Sequence, residues 1–313
     1  MKLGTVRING QPRSVFVIEE RFFDIGRVRD LFVREQGQDL PLVGNEPVKR
    51  LIEGGAPFLE ALKRLEGFAG ENLSGPLQPA LRECGVLLDA CEIAPPIADA
   101  GKIWCMGANY YNHRREMAER QKRHVESKIT LQGFIKAPSS LTGARAPIFY
   151  PPESRHVDHE IEVAFVIGLK GRRISESEAM KHVYGYMLFN DVSARDIRDL
   201  DNGRMDRGKG FDSFGVCGPW ILTADEVKDP ADIHLRLEVN GRVRQDGSTR
   251  DLLFPIPYQV AWLSTAMTLF PGDIISTGTP EGSGKIEPGD HLEGWSPNTA
   301  LGRLVNDVVP EPL

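Results

Sequence analysis

The sequence predicts a β-rich α+β fold, with a small N-terminal α+β domain over residues 1–95 and a larger, strand-dominated domain over 96–313. Three observations lead there. Strand and hairpin signals crowd the chain after residue 100, and helical spacing is confined to a few short stretches. Between the two textures lies IAPPIADAGKI (93–103), whose paired prolines can continue neither a helix nor a central strand.

Taken in order, KLGTVRI and SVFVIEE flank the turn NGQP and read as a hairpin. Helical spacing follows over 47–66, carried by Val48, Leu51, Ile52, Leu59, Leu62 and Leu65. VDHEIEVAFVIG (157–168) reads as a strand ending at Gly168. A helix over 176–183 takes Ser175 as N-cap, with Glu178 in the capping-box position. YMLFNDVSARD (186–196) is an apolar strand broken at Asn190–Asp191. HLRLEVNGRVRQDG (234–247) is a hairpin whose Asn240–Gly241 turn suits the two positive-φ positions of a type I′ turn. A helix over 257–269 puts Val260, Leu263 and Met267 on one face, and GDIISTGTP (272–280) is a short strand closed by Gly and Pro. No fixed-period repeat is present, which excludes solenoids and propellers.

Composition narrows the partners. The 313 residues are 41% hydrophobic and 26% charged with a net charge of −6, an ordinary balance for a globular protein. Nothing in it favours nucleic acid or an anionic membrane. MKLGTVRING lacks the basic and apolar regions of a signal peptide, and no run approaches the roughly 18–20 apolar residues of a membrane helix. Cys84, Cys91, Cys105 and Cys217 form no CxxC pair and read as buried free thiols, so a reducing cytoplasm is the expected location.

The chemistry begins at 157–168. Strand side chains alternate faces, so Asp158, Glu160 and Glu162 line up while His159, Ile161 and Val163 point away. Such a face is either solvated or occupied by a cation. The apolar residues that follow point to a strand entering the core, which favours the cation. Asp191, at a strand end, supplies a candidate third ligand. Three carboxylates without clustered Cys or paired His suit Mg²⁺ or Mn²⁺, with Ca²⁺ also compatible, rather than zinc.

With these residues in place, the chain resembles the fumarylacetoacetate hydrolase superfamily over about residues 100–295. The resemblance rests on CMGANYYNHRREM (105–117), FIKAPSSL (134–141), DHEIEVAFVIG (158–168), NDVSARDIR (190–198), KGFDSFGVCGPW (209–220) and PGDIISTGTPEGSG (271–284). It implies a mixed β-roll catalytic domain, usually dimeric, holding one divalent ion through Glu160, Glu162 and Asp191. A homodimer is therefore expected.

His113 and Glu116 are neighbours on a helical turn; taken alone they are a structural pair or an acid/base pair. The resemblance makes them the catalytic dyad, carried on a lid over 114–128, a charged stretch with few apolar side chains. Lys136 and Lys209 would by default be exposed, but near a developing oxyanion they would add positive charge, and both align with family lysines. Lys209 is assigned to catalysis and Lys136 to substrate. Thr279 reads alone as a turn residue, and the resemblance places it on the substrate carboxylate. Arg195 is either a substrate ligand or a structural partner of Asp196 or Asp199.

Two departures from the namesake enzymes stand out. Their fourth acidic ligand is missing, with Met106 in its stretch, which groups the chain with the shorter GxNYxxHxxE branch. Arg198 replaces a substrate-binding Gln, which would favour a second carboxylate on the substrate.

A divalent ion with two open positions would chelate a 2-oxo acid and stabilise its enolate, a step shared by C–C hydrolysis, decarboxylation, isomerisation and dehydration. The reading adopted is hydrolysis of an acylpyruvate, a 2,4-dioxo acid. The alternatives are decarboxylation or isomerisation of an unsaturated oxo diacid from aromatic catabolism, and dehydration of a sugar acid. A non-catalytic metal-binding protein is the contrasting class. It would be free to lose His113, Glu116 or Lys209, all of which this chain keeps.

Overall fold

A computed structural model of the chain describes residues 1–120 and 129–312. Its centre is a sheet of twelve strands. The main path runs β4 (Gly85–Leu87), β3 (Arg21–Asp24), β2 (Gln11–Ile18), β1 (Lys2–Ile8), β14 (Gly215–Thr223) and β12 (Val183–Asp191). It continues through β11 (Ile161–Ile167), β17 (Ile274–Ser276), β6 (Ile103–Gly107) and β7 (Gln132–Ile135). Two further strands, β5 (Glu92–Ala94) and β8 (Leu141–Gly143), pair with β1 and β14. The N-terminal strands thus continue the sheet through β1 beside β14.

A second sheet orders β16 (Arg242–Ser248), β15 (His234–Val239), β19 (His291–Trp295), β20 (Arg303–Pro310) and β9 (Ile148–Tyr150). A small third sheet holds β13 (Ser193–Ala194), β10 (Val157–His159) and β18 (Gly284–Ile286).

Strand β11 explains how these layers pack. It is buried on both faces, as the run IEVAFVI requires. Val163, Phe165 and Ile167 join one core with Leu235, Leu237 and Leu292 of the second sheet. Ala164 and Val166 join another with Leu31, Leu62 and Leu65 of the N-terminal helices. Each fully buried Phe or Ile in these layers is worth about 2–3 kcal/mol of removed apolar surface.

The helices are α1 (Ile25–Gln36), α2 (Val48–Glu53), α3 (Gly55–Asn72), α4 (Gln78–Cys84), α5 (Tyr111–Arg120), α6 (Glu176–Ala179), α7 (Arg195–Leu200) and α8 (Ile256–Ala266). Several differ from the sequence reading; α8, read over 257–269, ends at Ala266 and leaves Met267 outside it. The stretch 47–66 is two helices that part at Gly54–Gly55, and the second runs on to Asn72. Helix α1 carries a signal the spacing analysis passed over: Asp24 caps it by accepting from the Arg27 N–H at 3.0 Å, and Gly37 closes it in the left-handed region. The capping box over 175–178 does not form. Ser175 Oγ bonds Ser177 Oγ at 3.0 Å, Glu178 takes Lys181 at 2.6 Å, and α6 ends after four residues.

Both hairpins form as read. Asn9–Gly10 and Asn240–Gly241 hold positive φ at all four positions, the geometry that matches the strand twist. No helix among the described residues is long and apolar enough to cross a membrane. The four cysteines are free; Cys105 and Cys217 are buried, and Cys84 and Cys91 partly so.

Candidate active site

The site lies where the chain passes from one sheet to another. The strand read as continuous over 157–168 is broken at Glu160, with β10 in the small sheet and β11 in the large one. Two hydrogen bonds set the corner: the Glu160 N–H donates to Asn190 Oδ1 at 2.7 Å, and the Asp191 N–H donates to the Glu160 carbonyl at 2.9 Å. Because Ile161 pairs with Asn190 in the β11–β12 register, Glu160, Glu162 and Asp191 meet at one end of the sheet. Each offers a carboxylate oxygen within 4.8 Å of the others, and all three are buried.

Asp158, expected on the same face, shares the Arg195 guanidinium with Glu160 but stands outside the triad. Its Oδ2 accepts from Arg195 Nε at 2.8 Å and its Oδ1 lies 3.0 Å from His156 Nε2.

Two buried lysines and the half-buried Arg195 answer these acids. Lys209 Nζ donates to Glu160 Oε2 at 2.7 Å and to Asp191 Oδ2 at 2.5 Å. Lys136 Nζ donates to Asp191 Oδ1 at 2.9 Å, and Arg195 Nη2 bonds Glu160 Oε1. Burial alone would raise the Glu160 carboxyl, but Arg195 and then Lys209 hold it well below the usual carboxylate range. Lys209, which burial would lower, is raised by Asp191 and Glu160 and stays charged.

Among the described residues, no cation is bonded to Glu162. Its hydrogen bonds come from Ser276 Oγ at 2.5 Å and the Gly278 N–H at 2.8 Å, both on Oε2. Burial first, and Asp191 second, push its carboxyl well above the usual range. Surplus negative charge at a point ringed by hard oxygen donors fits a divalent cation, which Glu160, Glu162 and Asp191 would hold.

Above the carboxylates lies a cavity of about 300 Å³. Its polar lining includes His113, Arg195, Arg198, Lys209 and Thr279, and its apolar wall is Met106, Met117, Phe134 and Met205. Helix α5 brings His113 to the cavity. Asn109 ties the approach to this helix in place: its Nδ2 donates to the Thr277 carbonyl at 2.9 Å and its Oδ1 accepts from the Phe254 N–H at 3.0 Å. His113 Nδ1 faces Glu116 Oε2 at 3.5 Å, and the same oxygen accepts from the Gly282 N–H at 3.1 Å. Of the lid expected over 114–128, the part up to Arg120 is helix α5, and 121–128 lie outside the described residues.

Three of the expected substrate residues have partners that the sequence did not suggest. Lys136 does not reach the cavity: its ammonium is fully buried behind Asp191 and spends its protons on Asp191, the Val192 carbonyl and the Lys209 carbonyl. Its geometry is that of a residue that holds Asp191. Arg195 lines the cavity, but its partners are Asp158 and Glu160, not Asp196 or Asp199; Asp196 is taken by Ser154 Oγ at 2.6 Å. Thr279 Oγ1 donates to the Ile161 carbonyl at 2.9 Å and accepts from Gln245 Nε2 at 2.8 Å, so its hydroxyl proton is already committed.

Arg198 does stand in the cavity lining, its sole ion pair among the described residues a 3.3 Å contact from Nη2 to the exposed Asp199. Two residues were not singled out from the sequence. Asn109 could have been found within the GxNYxxHxxE motif, whereas Gln245 carried no local signal.

Residues 102–309 match the family model of the fumarylacetoacetate (FAA) hydrolase C-terminal domain. The chain belongs to the fumarylacetoacetate hydrolase family. Several family members share much of this architecture. The chain is 30% identical to maleylpyruvate hydrolase from Sphingobium sp. SYK-6, solved with manganese(II) and pyruvate; the match covers all of both chains with a TM-score of 0.72. It is 29% identical to 2-hydroxyhepta-2,4-diene-1,7-dioate isomerase from Mycobacterium marinum, again over both whole chains, with a TM-score of 0.71. A 4-hydroxyphenylacetate degradation bifunctional isomerase/decarboxylase from Salmonella dublin is 38% identical over 216 residues, 69% of this chain and 48% of that protein.

Proposed function

We propose that this chain is a divalent-ion-dependent hydrolase that cleaves a C–C bond in a 2,4-dioxo acid of the acylpyruvate or fumarylpyruvate kind. The observation that carries the reading is the pairing of two devices across one cavity. A buried carboxylate triad lies below, and a His113–Glu116 pair with its ring beside the cavity lies above. The manganese(II) and pyruvate in the Sphingobium relative support Mn²⁺ or Mg²⁺ as the ion and a pyruvate unit as the chelated end.

When bound at Glu160, Glu162 and Asp191, the ion would supply Lewis-acid polarisation of the substrate's carboxylate and 2-oxo oxygens. The protein's own residues do the rest. His113 takes a proton from water, and Glu116 beside Nδ1 stabilises the imidazolium that results. The hydroxide adds to the distal carbonyl at C4. The C3–C4 bond then breaks, its electron pair moving toward the C2 oxygen, and a proton delivered to C3 completes pyruvate while the distal fragment leaves as a free acid. Lys209 holds positive charge at the floor where negative charge grows. Arg198, in the cavity lining, favours a second carboxylate on the distal fragment.

A second reading has its own support. The likeness to an isomerase over both whole chains, and to a bifunctional isomerase/decarboxylase, fits proton movement on an unsaturated oxo diacid without water addition. In that case His113 moves a proton between carbons rather than from water.

The test strips the protein with chelator, restores Mn²⁺ or Mg²⁺, and offers acylpyruvates, oxaloacetate and unsaturated oxo diacids, with products identified by mass. Ion-dependent pyruvate plus a free acid from an acylpyruvate is the expected result. Carbon dioxide or a shifted double bond without cleavage would replace the hydrolase with the second reading.

A further inference from the structure

Gln245 sits on β16, in the second sheet, yet its side chain enters the first. Its neighbours Arg244 and Asp246 are exposed while Gln245 is 1% exposed. A buried amide has two acceptor sites and two N–H donors to satisfy, and leaving any of them unmet costs about 1–3 kcal/mol. Here all four are used. Oε1 receives the Ile161 N–H at 3.0 Å and His159 Nδ1 at 2.9 Å. Nε2 donates to Thr279 Oγ1 at 2.8 Å and to the Pro280 carbonyl at 2.9 Å. The pattern admits one orientation, since a flipped amide would set its NH₂ against the Ile161 N–H and its oxygen against the Pro280 carbonyl.

The two sides of this bridge belong to the two halves of the site. Ile161 and His159 flank Glu160 on the carboxylate segment. Thr279 and Pro280 open the loop whose Gly282 N–H donates to Glu116. That loop is pressed on β16: a Cβ at Gly282, whose φ is +88°, would stand 2.0 Å from the Arg244 carbonyl oxygen. A Cβ at Gly247 would stand 2.6 Å from Pro280 Cβ.

We infer that Gln245 is a positioning residue that fixes the loop over 279–282, and through Gly282 the Glu116 carboxylate, relative to the strand that carries Glu160 and Glu162. It does not line the cavity and touches no reacting atom. Its two anchors differ in strength. Ile161 stays in the β11–β12 ladder without it, whereas within 279–282 the loop keeps the Thr279-to-Ile161 hydrogen bond, its two ends being held by Gly278 on Glu162 and by the pairing of Gly284 with His159. Loss of the amide therefore loosens the stretch between these two ends, where the Gly282 N–H meets Glu116, and leaves the carboxylate side in place. The inference rests on the reading of His113–Glu116 as the proton-handling pair, but part of its test needs no substrate.

The experiment compares the full chain with Gln245→Met and Gln245→Glu. Mn²⁺ affinity is read by titration, amide hydrogen exchange at Gly282 and Asp191 by NMR, and kcat and KM on the acylpyruvate that the wild type cleaves. The expected result is Mn²⁺ affinity and Asp191 exchange within about 3-fold of wild type, and Gly282 exchange faster by about 10-fold or more. On the same reading kcat falls about 10–100-fold with KM changed less than about 3-fold, the scale of outer-shell partners around such sites.

Gly247→Ala, which pushes on Pro280 while keeping the amide, is expected to give the same split and serves if the Gln245 variants do not fold. Unchanged Gly282 exchange in a folded variant overturns the inference. So does a parallel loss of Mn²⁺ affinity, which would make Gln245 a support of the carboxylate segment. If the wild type cleaves no oxo acid, the proposed function fails while the exchange pattern still decides the role of Gln245.

Discussion

The floor and the roof of the cavity are built on opposite plans. Glu160, Glu162 and Asp191 sit at the end of a central two-strand ladder, each at most 4% exposed, with their backbones locked by the Glu160–Asn190 and Asp191–Glu160 hydrogen bonds. His113 and Glu116 sit on a short helix whose outer side chains are exposed, and Glu116 is about one-quarter exposed. Holding a cation needs fixed charge shielded from water. Moving a proton needs a ring that can adjust as the transition state forms. The difference predicts that the two halves fail separately.

The largest expected effect comes from the floor. Glu162→Gln should lower Mn²⁺ affinity by about 100-fold or more, since lost outer-shell partners alone cost 10–100-fold. The same change removes the burial cost and the repulsion with Asp191 that together raise the Glu162 carboxyl. Tm without ion should therefore rise while ion-induced stabilisation disappears; a fall in the ion-free Tm would contradict the surplus-charge account. Next comes the roof. His113→Gln should cost about 10²–10⁴ in kcat and leave Mn²⁺ affinity within about 3-fold, a split visible by steady-state kinetics beside metal titration.

A third measurement probes the wall between them. Arg198→Gln should raise KM for a substrate with a carboxylated distal fragment by about 10-fold, the scale of one lost charge-assisted hydrogen bond, and leave monocarboxylate acylpyruvates unchanged. Equal KM values for both substrate types would remove Arg198 from substrate selection.

The smallest effect concerns the approach to the floor. Asp196 accepts from Ser154 Oγ and from the Arg155 N–H, just before β10. Burial would raise its carboxyl, but these hydrogen bonds hold it below the ordinary 3.8. A depressed folded value means stability that is fully present above 3.8 and lost as pH falls through the folded value. The gap in urea midpoint between wild type and Asp196→Asn should be constant from neutral pH to about pH 5 and close below 3.8. A gap that widens in acid would reverse the sign.

What the sequence made legible follows the range of the interactions. Both Asn–Gly hairpins are decided by four residues, and both formed. The Glu-x-Glu pair and the strand-end Asp191 are also local patterns, and β-pairing brought them together. The sequence reading placed Asp158 with them because strict alternation was assumed. The corner at Glu160 depends on Asn190, and the place of Asp158 outside the triad goes with its bond to Arg195, 37 residues away. Lys136 was assigned to substrate because nothing near it in sequence predicts Asp191 as its partner, 55 residues on. Gln245 was invisible for the same reason: a lone Gln in a polar hairpin strand shows its role only when another sheet closes over it.

Lys209, Lys136 and Arg195 have one further consequence, for the supply of the ion. Small domains knit together by zinc collapse when it is withdrawn, because the metal is their folding energy. Here three internal cations already balance most of the charge on the floor. A chain made while the ion is scarce is expected to remain folded in reserve and become active when the ion returns, so that activity follows metal supply without new synthesis.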